Sequence, residues 1–250
     1  MRKIISSIDI GGGFIKLVVG EFVDNRLYIL SASKIETSGI DNGKIVDREA
    51  VIKTIKKSVA EVSDTLGIDI KKIILGINPI NAKLVKSVGT LKTRRENKIL
   101  TGDDIANVIQ KCADNKVDED YILIGVLPVE FTVDGNRRVK DPKGIESETL
   151  ELKGIVVTSP KDYVKTLLNI TEASGLKVVD IVPTCLGDYY SFKNKNSDSS
   201  VGVVINLGYN TTSISIFNKG ILTNTKSYKM GSKNIINDIG FIYKLDDKTS

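Results

Sequence analysis

The sequence of 250 residues contains no histidine and no tryptophan, and it has only two cysteines. The lack of histidine excludes a histidine base and a histidine metal ligand. Cys112 and Cys185 lie far apart and form no Cys-x-x-Cys pair, which argues against a zinc site and a disulfide framework. No apolar run reaches the roughly 18 residues of a membrane span, and Met1-Arg2-Lys3 leads into a strand pattern without a hydrophobic signal region. These absences predict a cytoplasmic protein.

Charge, in contrast, is plentiful and nearly balanced. The chain has 36 basic and 31 acidic residues and a net charge of +5. Because the basic residues are scattered among the acids, the pattern favours a mixed, solvated surface over a nucleic-acid interface. At this length the chain can bury a substantial core and hold more than one domain.

A glycine-rich stretch near the start of the chain is the first candidate site. Residues 4–10 and 14–19 are short and rich in β-branched side chains, so they predict two strands joined by a turn at 11–13. The bare amides of three glycines can form an anion site for phosphate. Asp9, at the mouth of the turn, is the predicted Mg²⁺ ligand through bound waters, and Lys16 could point back at the same phosphates. The alternative is an ordinary hairpin with a glycine-rich turn.

A second hairpin, at residues 201–217, repeats this plan of apolar strand, short polar residue, glycine, polar turn and alternating strand. Two such hairpins far apart in one chain indicate two related half-domains that face each other across a cleft. A nucleotide would lie in that cleft, with its phosphates held from both sides.

The two hairpins resemble the phosphate-binding motifs of the superfamily of actin, heat-shock proteins and sugar kinases, and within it the chain resembles the FtsA family of bacterial cell-division proteins. The resemblance covers essentially the whole chain and depends on five further segments, at residues 43–47, 128–135, 141–145, 175–178 and 230–239. It implies an α/β, actin-like (ribonuclease H-like) fold of two lobes, with ATP and Mg²⁺ as cofactors.

The resemblance also implies which residues form the nucleotide site. They are Asp9, Gly11, Gly12, Gly13, Phe14 and Lys16 of the first hairpin, Asn206, Gly208, Tyr209, Asn210 and Thr211 of the second, and Gly231 and Ser232 beyond it, with Asp9 as the metal ligand.

Four positions depart from the pattern that the resemblance implies. Asn206 and Ser213 stand where the family carries acids, Tyr209 stands in place of a glycine, and Thr184 in place of a water-orienting glutamine. Since phosphoryl transfer depends on positioning and on compensating charge, at most weak ATPase activity is expected. The alternative is that the second lobe has lost nucleotide binding.

The resemblance implies four segments. Residues 1–81 and 160–192 would form the first lobe (1A), and 82–159 would form an inserted α+β subdomain of the 1C, SHS2-like type. Residues 200–228 would be a partial 2A subdomain, and 229–250 the truncated start of 2B, so that the second lobe is incomplete. An insertion that merely decorates the fold is the alternative for 82–159.

Hydrophobic periodicity and capping residues predict the individual elements. The predicted helices are Arg48–Leu66 with Gly67 as its cap, one from Thr101 to about 116, and those at 161–174, 185–192 and 232–242. Further strands are predicted at 26–33, 72–77, 85–91, 122–127, 130–133, 148–157, 178–182 and 221–228.

The function implied by the resemblance is that of an FtsA-like actin homologue which binds ATP, self-assembles and links the FtsZ ring to the cytoplasmic membrane. Its partners would be the FtsZ tail (mainly through a part missing from this chain), further copies through the 1C-type subdomain, other division proteins, and the membrane through a C-terminal helix absent here. Its place would be the inner face of the membrane at the division site. A PilM-like pilus-assembly homologue and a small-molecule kinase are the alternatives, disfavoured respectively by the segment at 141–144 and by the lack of an acid beside the second motif.

Overall fold

The structure is a computed structural model that describes residues 3–24, 26–41, 43–93 and 97–245. Within these ranges strands and helices alternate, so the chain is a mixed α/β protein. In chain order the elements are β1 (Lys3–Ile10), β2 (Phe14–Val23), β3 (Arg26–Glu36), β4 (Ile40–Asp41), β5 (Lys44–Ile45), α1 (Arg48–Leu66), β6 (Lys72–Ile77), β7 (Lys83–Lys92), α2 (Gly102–Ala113), β8 (Tyr121–Val133), β9 (Arg137–Val139), β10 (Thr149–Pro160), α3 (Lys161–Ala173), β11 (Lys177–Pro183), α4 (Thr184–Phe192), β12 (Val201–Leu207), β13 (Thr212–Asn218), β14 (Ile221–Tyr228) and α5 (Ser232–Tyr243).

A five-stranded sheet forms the largest layer, in the order β11-β6-β1-β2-β3. The first three strands of the chain form an antiparallel meander, whereas β1, β6 and β11 run parallel. The main core packs between this sheet and the helices α1 and α3, and it includes Ile15, Leu17, Ile55, Leu75 and Ile170. The parallel strands place the ends of β1, β6 and β11 at one edge of the sheet, which is where the first glycine turn lies.

Helix α1 begins and ends where the sequence predicts. The Asp47 side chain accepts a hydrogen bond from the Ala50 amide at 3.0 Å and so satisfies one free donor of the first turn. Gly67 ends the helix in the left-handed region, with φ of 64°.

The second unit is a four-stranded antiparallel sheet in the order β7-β10-β8-β9, with α2 packed on one face. It is inserted between β6 and α3 of the first unit. Gly89 of β7 lies directly under α2, since a Cβ at that position would stand 2.4 Å from the Val108 carbonyl oxygen. The N-terminus of α2 is closed by a capping box, in which Thr101 and Asp104 each bind the backbone of the other.

A three-stranded antiparallel sheet, β12-β13-β14, forms the third unit. Helix α4 joins it to the first unit, because Tyr189 of α4 stacks on Phe217 of β13 with ring centroids 4.0 Å apart and planes inclined by 13°. Cys185, Tyr189, Phe217 and Leu222 are buried together at this contact. On the other side of the same sheet, Val201, Val203, Ile205 and Leu207 of β12 are exposed.

Several predicted elements differ from the structure. Strands β3 and β10 extend past their predicted ends at 33 and 157, to Glu36 and Pro160. The two strands predicted at 122–127 and 130–133 are one strand, β8, which passes Pro128 with a bulge: Gly154 pairs with Pro128 and Lys153 with Glu130, so that Val129 is the extra residue. Helix α2 ends at Ala113, short of the predicted end at about residue 116. The short β4–β5 pair and the three-residue strand β9 occur where the sequence predicts no strand.

Some predictions fall on residues 1, 2 and 246–250, which lie outside the described residues. They concern the start of the predicted 1A segment at 1–81 and the end of the predicted 2B segment at 229–250. No helix within the described part of the chain combines the length and the apolar character needed to cross a bilayer.

Candidate functional site

The first hairpin turn has the predicted position and an internal ion pair. Asp9 and Lys16 are register partners on β1 and β2, and the Lys16 ammonium lies 3.1 Å from the Asp9 carboxylate. The Gly11 amide closes the turn by donating to the Phe14 carbonyl oxygen at 3.1 Å. The Lys34 ammonium lies 4.0 Å from the centroid of the Phe14 ring, in a cation–π contact. Asp9 and Lys16 therefore neutralise each other at the mouth of the turn.

The second turn has the same construction. The Gly208 amide donates to the Thr211 carbonyl oxygen at 2.9 Å, three residues along, as Gly11 does in the first hairpin. Asn206 pairs with Ser213 across β12 and β13, two residues before the glycine, in the register that Asp9 and Lys16 occupy. The two hairpins are thus geometric repeats of each other.

The two turns lie in direct contact. A Cβ on Gly12 would stand 2.6 Å from Nδ2 of Asn210, and one on Gly13 would stand 2.9 Å from Cβ of Tyr209. Asn210 is only 5% exposed, and its amide donates to the Ile40 carbonyl oxygen at 3.0 Å. The space that the glycines leave open is therefore occupied by side chains of the second hairpin.

The start of α5 also binds the second turn. The Ser232 amide donates to the Gly208 carbonyl oxygen at 2.9 Å, and the Lys233 amide donates to that of Tyr209 at 3.0 Å. A Cβ on Gly231 would stand 2.3 Å from the Tyr209 carbonyl oxygen, so only glycine permits this approach. Because free amides at a helix N-terminus are the groups that bind anions, these two donors of α5 are already used.

Asn206 is explained by a neighbour that the sequence did not reveal. Its side-chain amide donates to the Asp188 carboxylate of α4 at 2.8 Å. An acid at position 206 would put two like charges at hydrogen-bond distance, which is unfavourable unless one is protonated. The side-chain amide of Asn206 is therefore a suitable hydrogen-bond donor to Asp188. The two residues are distant in sequence and become neighbours only in the fold.

Two further groups lie beside Asp9. Burial first, and then the charge of Asp9, raises the pKa of the Tyr163 phenol well above its ordinary value. Thr184 donates to the Asn78 side-chain oxygen at 3.3 Å, and a Cβ on Gly76 would touch both Thr184 and the backbone of Asp9. No sequence motif singles out Tyr163, because it is one apolar-side residue of a helix.

The contacts between the two turns leave little space where the nucleotide phosphates are predicted to bind. The cavity bordered by Gly11, Gly12, Asn210 and Thr211 has a volume of about 20 Å³, close to the space of a single water. This cavity is too small for a triphosphate, so a phosphate group would enter it only if the turns separated. No group of three or more potential metal-ligating acids or thiols occurs within the described ranges, so Asp9 as a Mg²⁺ ligand, like ATP itself, stays a prediction.

Comparison with known proteins identifies the inserted unit and the relatives of the chain. Residues 81–158 match the family described as the SHS2 domain inserted in FTSA. Cell division protein FtsA of Bacillus subtilis is 28% identical over 238 residues, which is 95% of this chain and 54% of that protein. FtsA of Streptococcus pneumoniae is 25% identical over 243 residues, or 97% of this chain and 53% of that protein. The chain spans about half the length of these relatives.

Solved structures show the fold. The ethanolamine utilization protein EutJ of Carboxydothermus hydrogenoformans has a TM-score of 0.59 at 14% identity, covering 99% of this chain and 59% of that one. The PilM-PilN type IV pilus biogenesis complex has a TM-score of 0.64, also at 14% identity, covering 98% of this chain and 67% of the other. These neighbours have the actin-like ATPase fold, as predicted. The predicted resemblance is confirmed: the chain is similar to cell division protein FtsA over about 95% of its length, and it contains the SHS2 domain that is inserted in FtsA.

Proposed function

We propose that this chain works as part of a cell-division actin homologue, in which the SHS2 domain makes the contacts of self-assembly and the two hairpins hold the lobes together. The observation that carries the proposal is the SHS2 domain of FtsA type, inserted between β6 and α3 of an actin-like first lobe. It favours an FtsA-like function over a PilM-like one, because likeness to the pilus complex is a likeness of fold at 14% identity. No feature of the second hairpin favours a kinase.

The SHS2 domain is suited to act as an assembly unit because it has its own core. Leu100, Val108, Cys112, Leu150 and Leu152 are buried between α2 and its sheet. A unit with a separate core keeps its surface while the lobes move, so its contacts need not depend on the state of the cleft.

Nucleotide binding would require the two hairpin turns to separate. ATP and Mg²⁺ would bind only when Tyr209 and Asn210 move away from Gly13 and Gly12, and this separation would cost the buried Asn210 hydrogen bond, about 1 kcal/mol net. Because the SHS2 contacts do not depend on the cleft, self-assembly would proceed without nucleotide. Hydrolysis of any ATP that did bind would be slow. Capture of the FtsZ tail and membrane attachment are proposed for the FtsA-like protein as a whole.

Localisation tests the proposed function. A fluorescent fusion of the chain, imaged in its native host together with labelled FtsZ, is expected to join the FtsA-like assemblies of the host through its SHS2 domain. It should therefore form bands that coincide with the FtsZ ring and disappear when FtsZ is depleted. Bands or foci that persist without FtsZ, or a diffuse signal in cells with intact rings, would contradict it.

A further inference from the structure

A groove of about 690 Å³ lies between the SHS2 domain and the hairpin of the third sheet. One wall is the face of the SHS2 sheet that points away from α2, and the other is the β13–β14 turn. The alternation along the strands fixes this orientation: Gly89 and Gly154 point at α2, so Val88 and Lys153 beside them point into the groove. The groove is separate from the contact between the two glycine turns.

The charge of this groove has one sign. Four exposed lysines line it, and none of the described residues that line it is acidic; the lysines are Lys86, Lys116, Lys153 and Lys219. Lys153 is paired at 3.3 Å with Glu130, which is not among the residues that line the groove. The other three form no ion pair with a carboxylate in the part of the chain that the structure describes. Their charges are therefore available to a ligand.

Between the lysines the groove is apolar. Val88 and Val129 are exposed large hydrophobic residues on the SHS2 face, and Ile221 of the opposite wall is partly buried beside them. Exposed apolar side chains grouped in a concave surface mark an interaction site more often than scattered ones do. The chain thus offers both an apolar floor and a ring of positive charge at one place.

We propose that this groove binds an extended peptide in which acidic and apolar residues alternate. In an extended chain successive side chains point to opposite sides, so one set can meet Val88 and Val129 while carboxylates reach Lys86 and Lys219. The edge strand β7, which pairs only with β10 among the described strands, carries Lys86 and Val88 and has backbone groups free for such a peptide. Since none of the described residues that line the groove is aromatic, bases would find no ring to stack on there, and single-stranded nucleic acid is a poorer fit.

The test uses the full 250-residue chain and two fluorescent probe peptides of equal length. One probe alternates Glu with Leu, and in the other each Glu is replaced by Gln. Fluorescence anisotropy is expected to show saturable binding of the acidic probe and at least about tenfold weaker binding of the Gln probe. Added salt should weaken binding of the acidic probe, because salt screens the attraction between its carboxylates and the lysines. Equal binding of both probes would overturn the proposal.

Variants locate the binding. Lys86→Glu with Lys219→Glu changes one lysine on each wall and is expected to weaken binding of the acidic probe at least about tenfold. The matched control is Lys56→Glu with Lys57→Glu, which makes the same change in net charge on the exposed side of α1. Equal losses in both double variants would mean that net charge, and not the groove, binds the peptide, and would overturn the proposal.

A third variant tests the apolar floor. Val129→Ser is expected to weaken binding of the acidic probe while retaining its salt dependence, because it removes apolar contact and no charge. Vesicles with anionic headgroups serve as a second ligand. If they displaced the acidic probe from the wild-type chain, the groove would be a lipid-binding surface, and the peptide proposal would be wrong.

Discussion

Gly13 and Tyr209 lie against each other across the junction of the two hairpins, so closely that a Cβ on Gly13 would stand 2.9 Å from that of Tyr209. Glycine in such a turn permits close approach of another group. In the predicted site that group is a phosphate, whereas in this structure it is a tyrosine. The same holds for Gly12 and Asn210. The hairpins are therefore complementary to each other, and a nucleotide would have to compete with that contact.

The first prediction follows from this competition. Replacing Tyr209→Gly together with Asn210→Gly removes the side chains that occupy the glycine turn, so Mg·ATP is expected to bind the double variant at least about tenfold more tightly than the wild type. Isothermal titration measures both affinities. Adding Asp9→Ala to the double variant should abolish the dependence on Mg²⁺, because it removes the predicted metal ligand.

The outcome that contradicts this prediction is equally clear. If the wild-type chain binds Mg·ATP tightly and the double variant binds it no better, the turns open readily and their contact does not limit access. Unchanged Mg²⁺-dependent affinity after Asp9→Ala would remove Asp9 from the metal site.

Local signals in the sequence were sufficient where the structure depends on local interactions. Helix α1 was predicted with correct bounds because its start and end are marked by Asp47 and Gly67, which act on the nearest turns of backbone. The two hairpins were recognised for the same reason, since each is closed within four residues. The actin-like fold and the SHS2 insert followed from the resemblance.

The site was less predictable because its contacts are distant in sequence. Asn206 and Asp188 form a pair across two elements, and Asn210 binds Ile40 from another sheet, so neither contact leaves a pattern in the sequence. The sequence predicts two strands on either side of Pro128 because proline usually ends a strand. Only the pairing with β10 shows that a bulge lets β8 continue.

The second prediction concerns the packing of the SHS2 domain. Gly89→Ala is expected to destabilise the chain by about 2 kcal/mol or more, because its Cβ would meet the backbone of α2 at Val108 and Cys112, which can give way only if the helix shifts. Gly125→Ala is the control in the same sheet, since its Cβ meets nothing within 4 Å, and it should be neutral or stabilising by less than about 1 kcal/mol. Urea unfolding measures both. Equal losses in the two variants would show that strand glycines matter here for reasons other than helix contact.

The third prediction is a pH dependence at Asp134. Its carboxylate accepts hydrogen bonds from the Ser147 hydroxyl at 2.9 Å and from the amides of Glu148 and Thr149 at 2.8 and 3.1 Å. These bonds, that of Ser147 first, lower the pKa of Asp134 from its ordinary value of 3.8. A carboxyl group with a lowered pKa in the folded state stabilises the fold above its unfolded pKa, and it loses this contribution as the pH falls through the folded pKa.

Asp134→Asn should therefore lower the melting temperature at neutral pH, and the difference from wild type should shrink below about pH 4. Melting curves over a pH series measure this. Asp64→Asn, at an exposed position of α1 outside this cluster, makes the same change of charge and is the control. A constant difference at every pH would mean that Asp134 acts through hydrogen bonding alone, without its charge.

The last prediction concerns the outer face of β12. This strand lies at the edge of its sheet, and its alternate residues Val201, Val203, Ile205 and Leu207 are all more than half exposed. Burying one branched apolar side chain contributes about 1.5–3 kcal/mol, so a row of four on an open strand edge is a strong drive to associate. Val203→Lys with Ile205→Lys places charges on this row and is expected to reduce concentration-dependent association in sedimentation velocity, with little change in the melting temperature.

Val204→Lys is the control on the opposite face, where Val204 packs against the cluster of Tyr189 and Phe217. It should destabilise the chain without reducing association selectively. If association were unchanged in the double variant, this row of β12 side chains would not contribute to it.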